Sequence, residues 1–411
     1  MTSQESAPGA TAGGTVVLRR LNRAAVLDAL RRAAPNPLRI TELTQRTGLA
    51  RPTVSLVVAD LVEEGLLTQL APGAGRRMGR PATRVALNGG VAHVLGLDVG
   101  PHSVAAAIAD LTGRQLALVR RSVRAPRAAA LLEAVDQAAR QALATAELVP
   151  EKIVAVAAGS PGVLDRATGR TRLVPSVEGW EHIDLAQHLA NTFSCPIELD
   201  NDANLAALAI ERTRGEGGTL LAIQWGDRIG AGVVIGHQLL RGHAAAAGEI
   251  GYISVDPGGD AAEQDGLGPL ERRIGTAAIG RRAWSLARSH PESLLAAQLA
   301  DGDDPAAATF AAAAAGEPLA GALVDDVAGI FARAVAPIVL ALDPDTVVVG
   351  GGIARAGQGL RVAIARKLAP LVLFPPAVEL STLAENAVVT GAVQIALQEA
   401  WHHQLGTTTP A

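Results

Sequence analysis

The pattern of apolar and polar positions in the first ninety residues predicts three short helices followed by two short strands. Apolar residues recur three or four positions apart between residues 18 and 33, which predicts a first helix that ends before Pro35. A second helix is predicted over residues 41–46, with Thr41 as its N-cap and Gly48 after its end. Pro52 suits the first turn of a third helix, because the N–H that proline lacks would be unpaired there anyway.

The segment after the third helix predicts a β-hairpin with a basic tip. Residues 66–70 and 83–87 have strand character, and a glycine-rich segment with three arginines separates them. Two helices around a glycine turn, followed by such a hairpin, are typical of a winged helix-turn-helix, whose second helix enters the DNA major groove. A protein–protein module with solvated arginines is the alternative. The candidate DNA contacts are Arg51, Pro52, Thr53 and Ser55 on the third helix, and Arg76, Arg77 and Arg80 at the hairpin tip.

From residue 93 onward the pattern is that of an α/β protein. Strands are predicted over residues 94–99, 103–109, 115–123, 152–158, 196–199, 219–225, 230–235, 249–255 and 346–349. Helices are predicted over residues 128–146, 183–192, within 270–300, and over 320–342 and 387–401. Each half opens with strands around a glycine-containing turn, which predicts a duplicated architecture with a cleft between two lobes.

Charge divides the chain near residue 90. The 411 residues carry a formal net charge of −4. The first ninety hold 12 arginines against 6 acidic residues, a net charge of +6, and the remainder carries −10. A basic first fifth on an acidic body predicts a nucleic-acid-binding module joined to a domain of another function.

Cysteine content and hydropathy exclude further classes. Cys195 is the only cysteine, which rules out an internal disulfide and a multi-cysteine zinc site. No stretch of about 18 strongly apolar, uncharged residues is present, and residues 1–14 lack the apolar core of a signal peptide. We therefore expect a cytoplasmic protein without a membrane partner.

The body resembles the ROK family of sugar kinases and sugar-responsive repressors, and the winged head resembles the repressor branch of that family. The segments that carry the resemblance, in chain order, are Leu97–Gly100, Gly159–Asp165, Gly179-Trp180, Asp200–Asn204, Ile229–Gly232, Ala247–Gly251, Gly268–Glu271, Asp343-Pro344 and Val349–Gly352, with Gly79–Ala82 in the head. The resemblance implies an α/β fold: an N-terminal winged helix-turn-helix domain followed by a two-lobed actin-like ATPase fold. The expected division is a disordered tail over 1–17, a head over 18–90, a first lobe over 91–205 completed by a helix at 387–402, and a second lobe over 206–386.

The resemblance also implies the ligand-binding residues. Asp202 stands where the family has its catalytic base, and a carboxylate there can take a sugar hydroxyl's proton in a kinase or accept its hydrogen bond in a binder. Asn201 can bond a neighbouring hydroxyl, and Glu249 and Glu271 match the family's other sugar-contacting carboxylates. The residues taken alone favour an acidic turn and helix cap over Asp200–Asp202.

Two phosphate-binding loops of the family are altered. The kinase pattern Asp-x-Gly-Gly-Thr is replaced by Asp98–His102, in which Pro101 removes a backbone donor. The pattern Gly-Thr-Gly-Ile-Gly is replaced by Gly226–Gly230, in which Asp227 puts a negative charge where a phosphate would lie. The sequence therefore does not favour ATP binding, and no cofactor is expected.

The family's zinc site is also lost from the sequence. Tyr252 replaces its histidine, which is also a sugar contact in the family, and no cysteine occurs between residues 256 and 271. Ser176 stands where an asparagine is common. Because Tyr252 and Ser176 keep hydroxyl groups, hydrogen bonding to a ligand can survive with altered specificity.

These observations predict a transcriptional repressor that is not an enzyme. It would bind a double-stranded DNA operator as a homodimer or a dimer of dimers, and its body would bind a sugar or sugar derivative as effector. Two alternatives stay open. One is a sugar kinase with a DNA-binding head, and the other is a regulator whose body answers to a non-sugar ligand or a protein, or serves only as a scaffold.

Overall fold

The apolar pattern of the first ninety residues folds as a helical head. A computed structural model describes residues 10–70, 83–124, 127–165, 170–172, 177–215, 217–255, 266–302 and 304–405. The described part of the head contains helices α1 (Ala10–Ala33), α2 (Ile40–Thr47) and α3 (Arg51–Glu63), and strands β1 (Leu38–Arg39), β2 (Leu67–Leu70) and β3 (Arg84–Leu87). The strands form an antiparallel sheet in the order β1-β3-β2. Leu27, Leu43 and Val58 are buried where the three helices meet.

Two details of the head differ from the prediction. Helix α1 begins at Ala10, so the predicted disordered tail over 1–17 is wrong for residues 10–17. No proline interrupts residues 10–33, so a helix nucleated by the buried part of α1 can extend toward the N-terminus. The N-cap of α2 is Arg39 and not Thr41, because the Glu42 carboxylate accepts a hydrogen bond from the Arg39 N–H at 2.7 Å.

The first lobe of the body is a five-stranded mixed sheet with helices on its outer face. Its order is β10-β7-β4-β5-β6. The strands are β4 (His93–Val99), β5 (Ser103–Asp110), β6 (Gln115–Ser122), β7 (Ile153–Ser160) and β10 (Ile197–Asn201). Strands β8 (Val163–Asp165) and β9 (Arg170–Arg172) form a separate hairpin, and the helices are α4 (Ala128–Thr145) and α5 (Leu185–Ala190).

The second lobe repeats this plan after helix α6 (Asp202–Arg214). Its sheet order is β13-β12-β11-β14-β15. The strands are β11 (Thr219–Trp225), β12 (Ile229–Ile235), β13 (Gln238–Leu240), β14 (Thr346–Gly350) and β15 (Ala377–Leu380). The helices are α7 (Pro269–Ile274), α8 (Thr276–Ser289), α9 (Leu294–Ala300), α10 (Pro305–Ala314), α11 (Pro318–Leu342) and α12 (Gly357–Leu368). In both lobes a three-stranded antiparallel meander is extended by two parallel strands, so the two sheets share one topology.

Helix α6 and the last helix, α13 (Ala387–Leu405), join the lobes. Helix α13 packs on strands β4 and β7 of the first sheet and against α6, which contacts strands β11 and β12 of the second sheet. The two helices touch closely at Gly391, where an added Cβ atom would lie 1.9 Å from the Leu205 carbonyl oxygen. The predicted boundary at residue 205 is therefore wrong, because it falls inside a helix that packs against both lobes.

One predicted strand of the body is a turn. The segment over 249–255 forms a 3-10 turn at Ile250–Tyr252 instead of a strand. Gly248, at φ 92°, accepts a hydrogen bond on its carbonyl oxygen from the N–H of Ala231 at 2.8 Å, and a Cβ on Gly248 would collide with the Ala231 backbone. This close contact with β12 holds the chain in a tight turn, which presents Glu249 and Tyr252 at one point of the surface between the lobes.

The head packs directly on the body. One buried apolar cluster contains Val26 and Leu27 of α1 together with Ala109 and Leu111 of the first lobe and Trp401 of α13. The head and the body are thus joined by a continuous apolar contact. Over the range that the structure covers, no helix combines the length and the apolar character needed to cross a bilayer.

Candidate functional site

A cleft of about 520 Å³ lies between the two lobes. Its walls come from the ends of β7 and β10, the start of α6, the β11–β12 turn, the turn at Ile250–Tyr252 and the start of α7. Five of the sequence-predicted ligand residues line it, namely Asn201, Asp202, Glu249, Tyr252 and Glu271. The sixth, Ser176, lies outside the described residues.

Asn201 and Asp202 sit where β10 ends and α6 begins. The Asn201 side chain caps the helix by accepting the Ala203 N–H at 2.8 Å, and its amide group donates to the Gly162 carbonyl at 3.2 Å. One Asp202 oxygen also accepts the Ala203 N–H, at 2.7 Å, and the backbone of Asp202 itself donates to the same carboxylate, so no described side chain donates to it. Burial raises the pKa of Asp202 above its usual range. The helix-cap interpretation and the ligand-site interpretation of this segment are therefore compatible.

Glu249 faces Asp202 across the cleft without a donor of its own. Among the described residues nothing donates a hydrogen bond to the Glu249 carboxylate. Burial, reinforced by the negative charges of Asp202 and Glu271, raises the pKa of Glu249 to about 7. A half-buried carboxylate without a partner is costly in free energy unless a ligand supplies hydroxyl donors. Tyr252, which is 47% exposed, also lines the cleft.

Glu271 lies in the cleft wall but is already engaged. Its carboxylate accepts the N–H of Gly268 at 2.7 Å, the N–H of Ile229 at 2.9 Å and a guanidinium N–H of Arg228 at 3.2 Å. With 5% of its surface exposed, Glu271 fastens the β11–β12 turn to the start of α7. These bonds hold that turn in place, and the ligand contact implied for Glu271 by the resemblance stays a prediction.

The β11–β12 turn is closed to a phosphate group. The carboxylate of Asp227 accepts hydrogen bonds from the Thr276 hydroxyl and, at 2.7 Å, from the Ala277 N–H. Those groups belong to the first turn of α8, where an anion would otherwise bind. The side chain of Asp227 thus takes the place that a phosphate oxygen would need.

The β4–β5 turn is likewise unsuited to a nucleotide. The Gly100 N–H donates to the Ser103 carbonyl at 2.9 Å, which closes a tight hairpin with Pro101 and His102 at its tip. Asp98, the acidic residue of the altered loop, has a guanidinium nitrogen of Arg120 3.9 Å from its carboxylate. Burial raises the pKa of Asp98 to about 7, against the opposing effect of Arg120. A guanidinium group beside this carboxylate is unfavourable for a magnesium ion there, because both groups are positively charged.

The family's zinc does not fit this chain either. The chain's one cysteine, Cys195, packs at the edge of the first-lobe core, and burial raises the pKa of its thiol to about 11. Within the described ranges no three histidine, cysteine, aspartate or glutamate side chains are grouped as metal ligands. Residues 256–265 lie outside those ranges.

Two cleft residues were not predicted from the sequence. Gln224, at the end of β11, lines the cleft, and its side-chain nitrogen has no hydrogen-bond acceptor among the described residues. Gly351, at φ 79°, lies so close to Trp225 that a Cβ atom would be 2.7 Å from its carbonyl oxygen. The position of Gly351 after the strand over 346–349 is a signal of close backbone approach, whereas Gln224 carries no comparable signal.

The exposed face of α3 presents the predicted DNA contacts. Arg51, Pro52 and Ser55 are exposed at the start of the helix, and Thr53 is half-buried beside them. The opposite face buries Val54, with Val57, Val58 and Leu61, against the other helices. Residues 71–82 lie outside the described residues, so the contacts predicted for Arg76, Arg77 and Arg80 stay predictions.

Sequence models of known families match most of the chain. The ROK family model matches residues 94–399, and a model of the IclR helix-turn-helix domain matches residues 22–71.

Individual relatives fall into two classes. A putative xylose repressor of Caldicellulosiruptor sp. (strain Rt8B.4) is 23% identical over 394 residues, covering 94% of this chain and 98% of the relative. A glucokinase of Halalkalibacterium halodurans is 32% identical over 266 residues, covering 62% of this chain and 80% of the relative. The crystal structure of a ROK family transcriptional regulator, a homolog of the E. coli MLC protein, superposes with a TM-score of 0.76 at 20% identity, covering 94% of this chain and 98% of that one. This last likeness shows the shared fold.

Proposed function

The chain belongs to the ROK family, and from this membership and the cleft geometry we propose that it is a DNA-binding transcriptional repressor controlled by a sugar or sugar derivative. The observation that carries the proposal is the pair of cleft carboxylates, Asp202 and Glu249. No described side chain donates a hydrogen bond to either carboxylate, and both have pKa values raised by burial. Sugar hydroxyls are the donors that such a site needs, because each hydrogen bond to a carboxylate is charge-assisted.

The body acts as a binder and not as a kinase. Asp227 occupies the anion position at α8, Pro101 shapes the other phosphate loop, and Arg120 lies beside Asp98. In a kinase, the carboxylate would help the sugar hydroxyl to attack a bound phosphoryl group. Without loops that bind the phosphates, the carboxylate of Asp202 only accepts a hydrogen bond from that hydroxyl. The similarity to a repressor over 94% of this chain, head included, supports the regulatory role.

The head recognises a DNA operator through α3. Arg51 and Ser55 are exposed at the start of this helix, and the +6 charge of the first ninety residues attracts the phosphate backbone. A homodimer would place two such helices in successive major grooves about 34 Å apart. Ligand binding between the lobes would move the heads, because the first lobe and α13 pack directly on α1.

The experiment that tests this proposal starts from DNA fragments that the full-length protein selects out of a genomic library. Operator binding by wild type, Arg51→Gln and the control Arg140→Gln is then measured by fluorescence anisotropy at several salt concentrations. Arg140 is exposed on α4, away from the head. We expect Arg51→Gln alone to weaken binding and to flatten its salt dependence by about one phosphate contact. Equal operator affinities for the three proteins would contradict the role of α3.

A further inference from the structure

The cleft between the lobes is larger than a single sugar ring requires. Its volume is about 520 Å³. A cavity of about 150 Å³ in another protein holds benzene, and a hexose has twice as many non-hydrogen atoms as benzene, so a hexose needs about 300 Å³. One ring between Asn201, Asp202 and Glu249 therefore leaves about 200 Å³ of the cleft unfilled.

The rest of the cleft extends to the place where β11 and β14 end side by side. Gln224 pairs with Gly350 in the parallel register of these strands, and Gly351 and Gly352 follow. An added Cβ on Gly351 would lie 2.7 Å from the Trp225 carbonyl oxygen, whereas one on Gly352 would meet nothing within 4 Å. Because Gly352 lines the cleft, it borders open space there. We call the site formed by Gln224, Gly351 and Gly352 the second subsite.

The second subsite offers hydrogen bonds without charge. The side chain of Gln224 ends in an amide group, whose nitrogen is buried and has no acceptor among the described residues. A buried donor without an acceptor costs free energy, and the oxygen of a ligand hydroxyl group would supply that acceptor. An amide group both donates to and accepts from hydroxyl groups. The two glycines carry no side chains, so a ring can approach their backbone closely.

The charges of the cleft disfavour a phosphate group on the ligand. The carboxylates of Asp202, Glu249 and Asp227 all belong to residues that line the cleft. Arg228 is the only arginine among the described lining residues, and its guanidinium group donates to the Glu271 carboxylate at 3.2 Å. A sugar phosphate would bring further negative charge close to these carboxylates, which is unfavourable. The group that extends into the second subsite should therefore be neutral.

We propose that the effector is a neutral disaccharide, an inference that rests on the function proposed above. One ring of the disaccharide bonds to Asn201, Asp202 and Glu249. The other ring lies in the second subsite, where one of its oxygens accepts a hydrogen bond from the amide group of Gln224. The volume beside the altered phosphate-binding loop thus contributes to recognition of the sugar.

The test is calorimetric titration of the full-length protein with monosaccharides and matching disaccharides. The pairs are D-glucose with cellobiose or maltose, D-xylose with xylobiose, and N-acetyl-D-glucosamine with N,N′-diacetylchitobiose. In at least one pair we expect the disaccharide to bind about tenfold more tightly or better, because its second ring adds contacts that a single ring lacks. The charged sugars glucose 6-phosphate and N-acetylglucosamine 6-phosphate should bind more weakly than that disaccharide.

The variant Gly352→Leu locates the second ring. Its side chain starts in open space, so it can fill the second subsite without displacing a neighbouring group. We expect the affinity for the disaccharide to fall about tenfold or more. The affinity for the monosaccharide should stay unchanged, which also shows that the variant is folded. Gly359→Leu, on α12 and outside the cleft, is the matched control, because a Cβ there also meets nothing within 4 Å.

Three results would overturn the inference. They are that no disaccharide binds more tightly than its monosaccharide, that a sugar phosphate binds most tightly, or that Gly352→Leu does not weaken disaccharide binding more than monosaccharide binding. The proposed function survives each of them, because a smaller or charged sugar would still bind in the cleft. If no sugar of any kind binds wild type, the proposed function and this inference both fail.

Discussion

The two ends of the cleft between the lobes differ in how their carboxylates are hydrogen-bonded. At one end, which we call the sugar end, Asn201, Asp202 and Glu249 line the cleft, and no described side chain donates a hydrogen bond to either carboxylate. At the other, which we call the phosphate end, the carboxylate of Asp227 accepts hydrogen bonds from the Thr276 hydroxyl and the Ala277 N–H at the start of α8. This difference supports our proposal that the body senses a sugar and does not phosphorylate it.

Removing the charge at the sugar end should have the largest effect. We expect Asp202→Asn to weaken sugar binding by about 10- to 150-fold, since a hydrogen bond to a charged acceptor contributes roughly 1.5–3 kcal/mol. Calorimetry with D-glucose, D-xylose and N-acetyl-D-glucosamine identifies the sugar that binds wild type. Asp301→Asn, an exposed aspartate after α9, is the matched control. Unchanged affinity in Asp202→Asn would place the sugar elsewhere.

The pH dependence of sugar binding should show whether the carboxyl group of Glu249 is ionised. The pKa of Glu249 is raised to about 7, so its carboxylate becomes the charged acceptor only as the pH rises through 7. We expect sugar affinity to increase between pH 6 and pH 8 by at most about tenfold and then to level off. In Glu249→Gln this pH dependence should disappear. An affinity in wild type that stays constant over this range would show that the ionisation of Glu249 does not control binding.

The same raised pKa has a consequence for stability in the absence of ligand. The folded state holds the Glu249 proton more tightly than the unfolded state, so this group lowers stability as the pH rises from its usual pKa of 4.5 toward 7. Glu249→Gln should therefore unfold at higher denaturant concentration than wild type at pH 8, and the difference should shrink near pH 4. A variant that is less stable than wild type at pH 8 would contradict the unpaired state of this carboxylate.

The smallest effect is expected at the phosphate end. Asp227→Ala removes the hydrogen bonds to Thr276 and Ala277, and we expect a loss of about 0.5–2 kcal/mol in the free energy of unfolding, as for a lost helix cap. Sugar affinity should stay unchanged, because the Asp227 carboxylate accepts hydrogen bonds from the start of α8 and is not part of the sugar end. Urea denaturation and sugar titration of the same preparation check both parts. A stability equal to that of wild type would contradict the capping role of Asp227.

The sequence predicted the sugar end better than its surroundings. Asn201 and Asp202 follow a strand and begin a helix, so their place at the edge of a sheet could be inferred from neighbouring residues alone. Glu271 could not be interpreted in this way, because its partner Ile229 is 42 positions away in the chain. The carboxylate resembles a ligand contact in the sequence, and only the folded chain brings the three donors that occupy it.

Two other elements of the structure differ from the elements predicted from the sequence. The apolar residues over 249–255 predicted a strand, but the contact of Gly248 with Ala231 imposes a turn. The short alanine-rich helix α10 has apolar residues on every side and therefore no clear period, so it was not predicted.

The central claim is that a sugar in the cleft controls the affinity of the head for DNA. The most direct measurement is operator affinity, by fluorescence anisotropy, with and without a saturating concentration of the sugar that binds wild type. We predict that the sugar changes the operator affinity of wild type by about 5- to 150-fold and leaves that of Asp202→Asn unchanged. An operator affinity of wild type that is the same with and without a bound sugar would contradict the account.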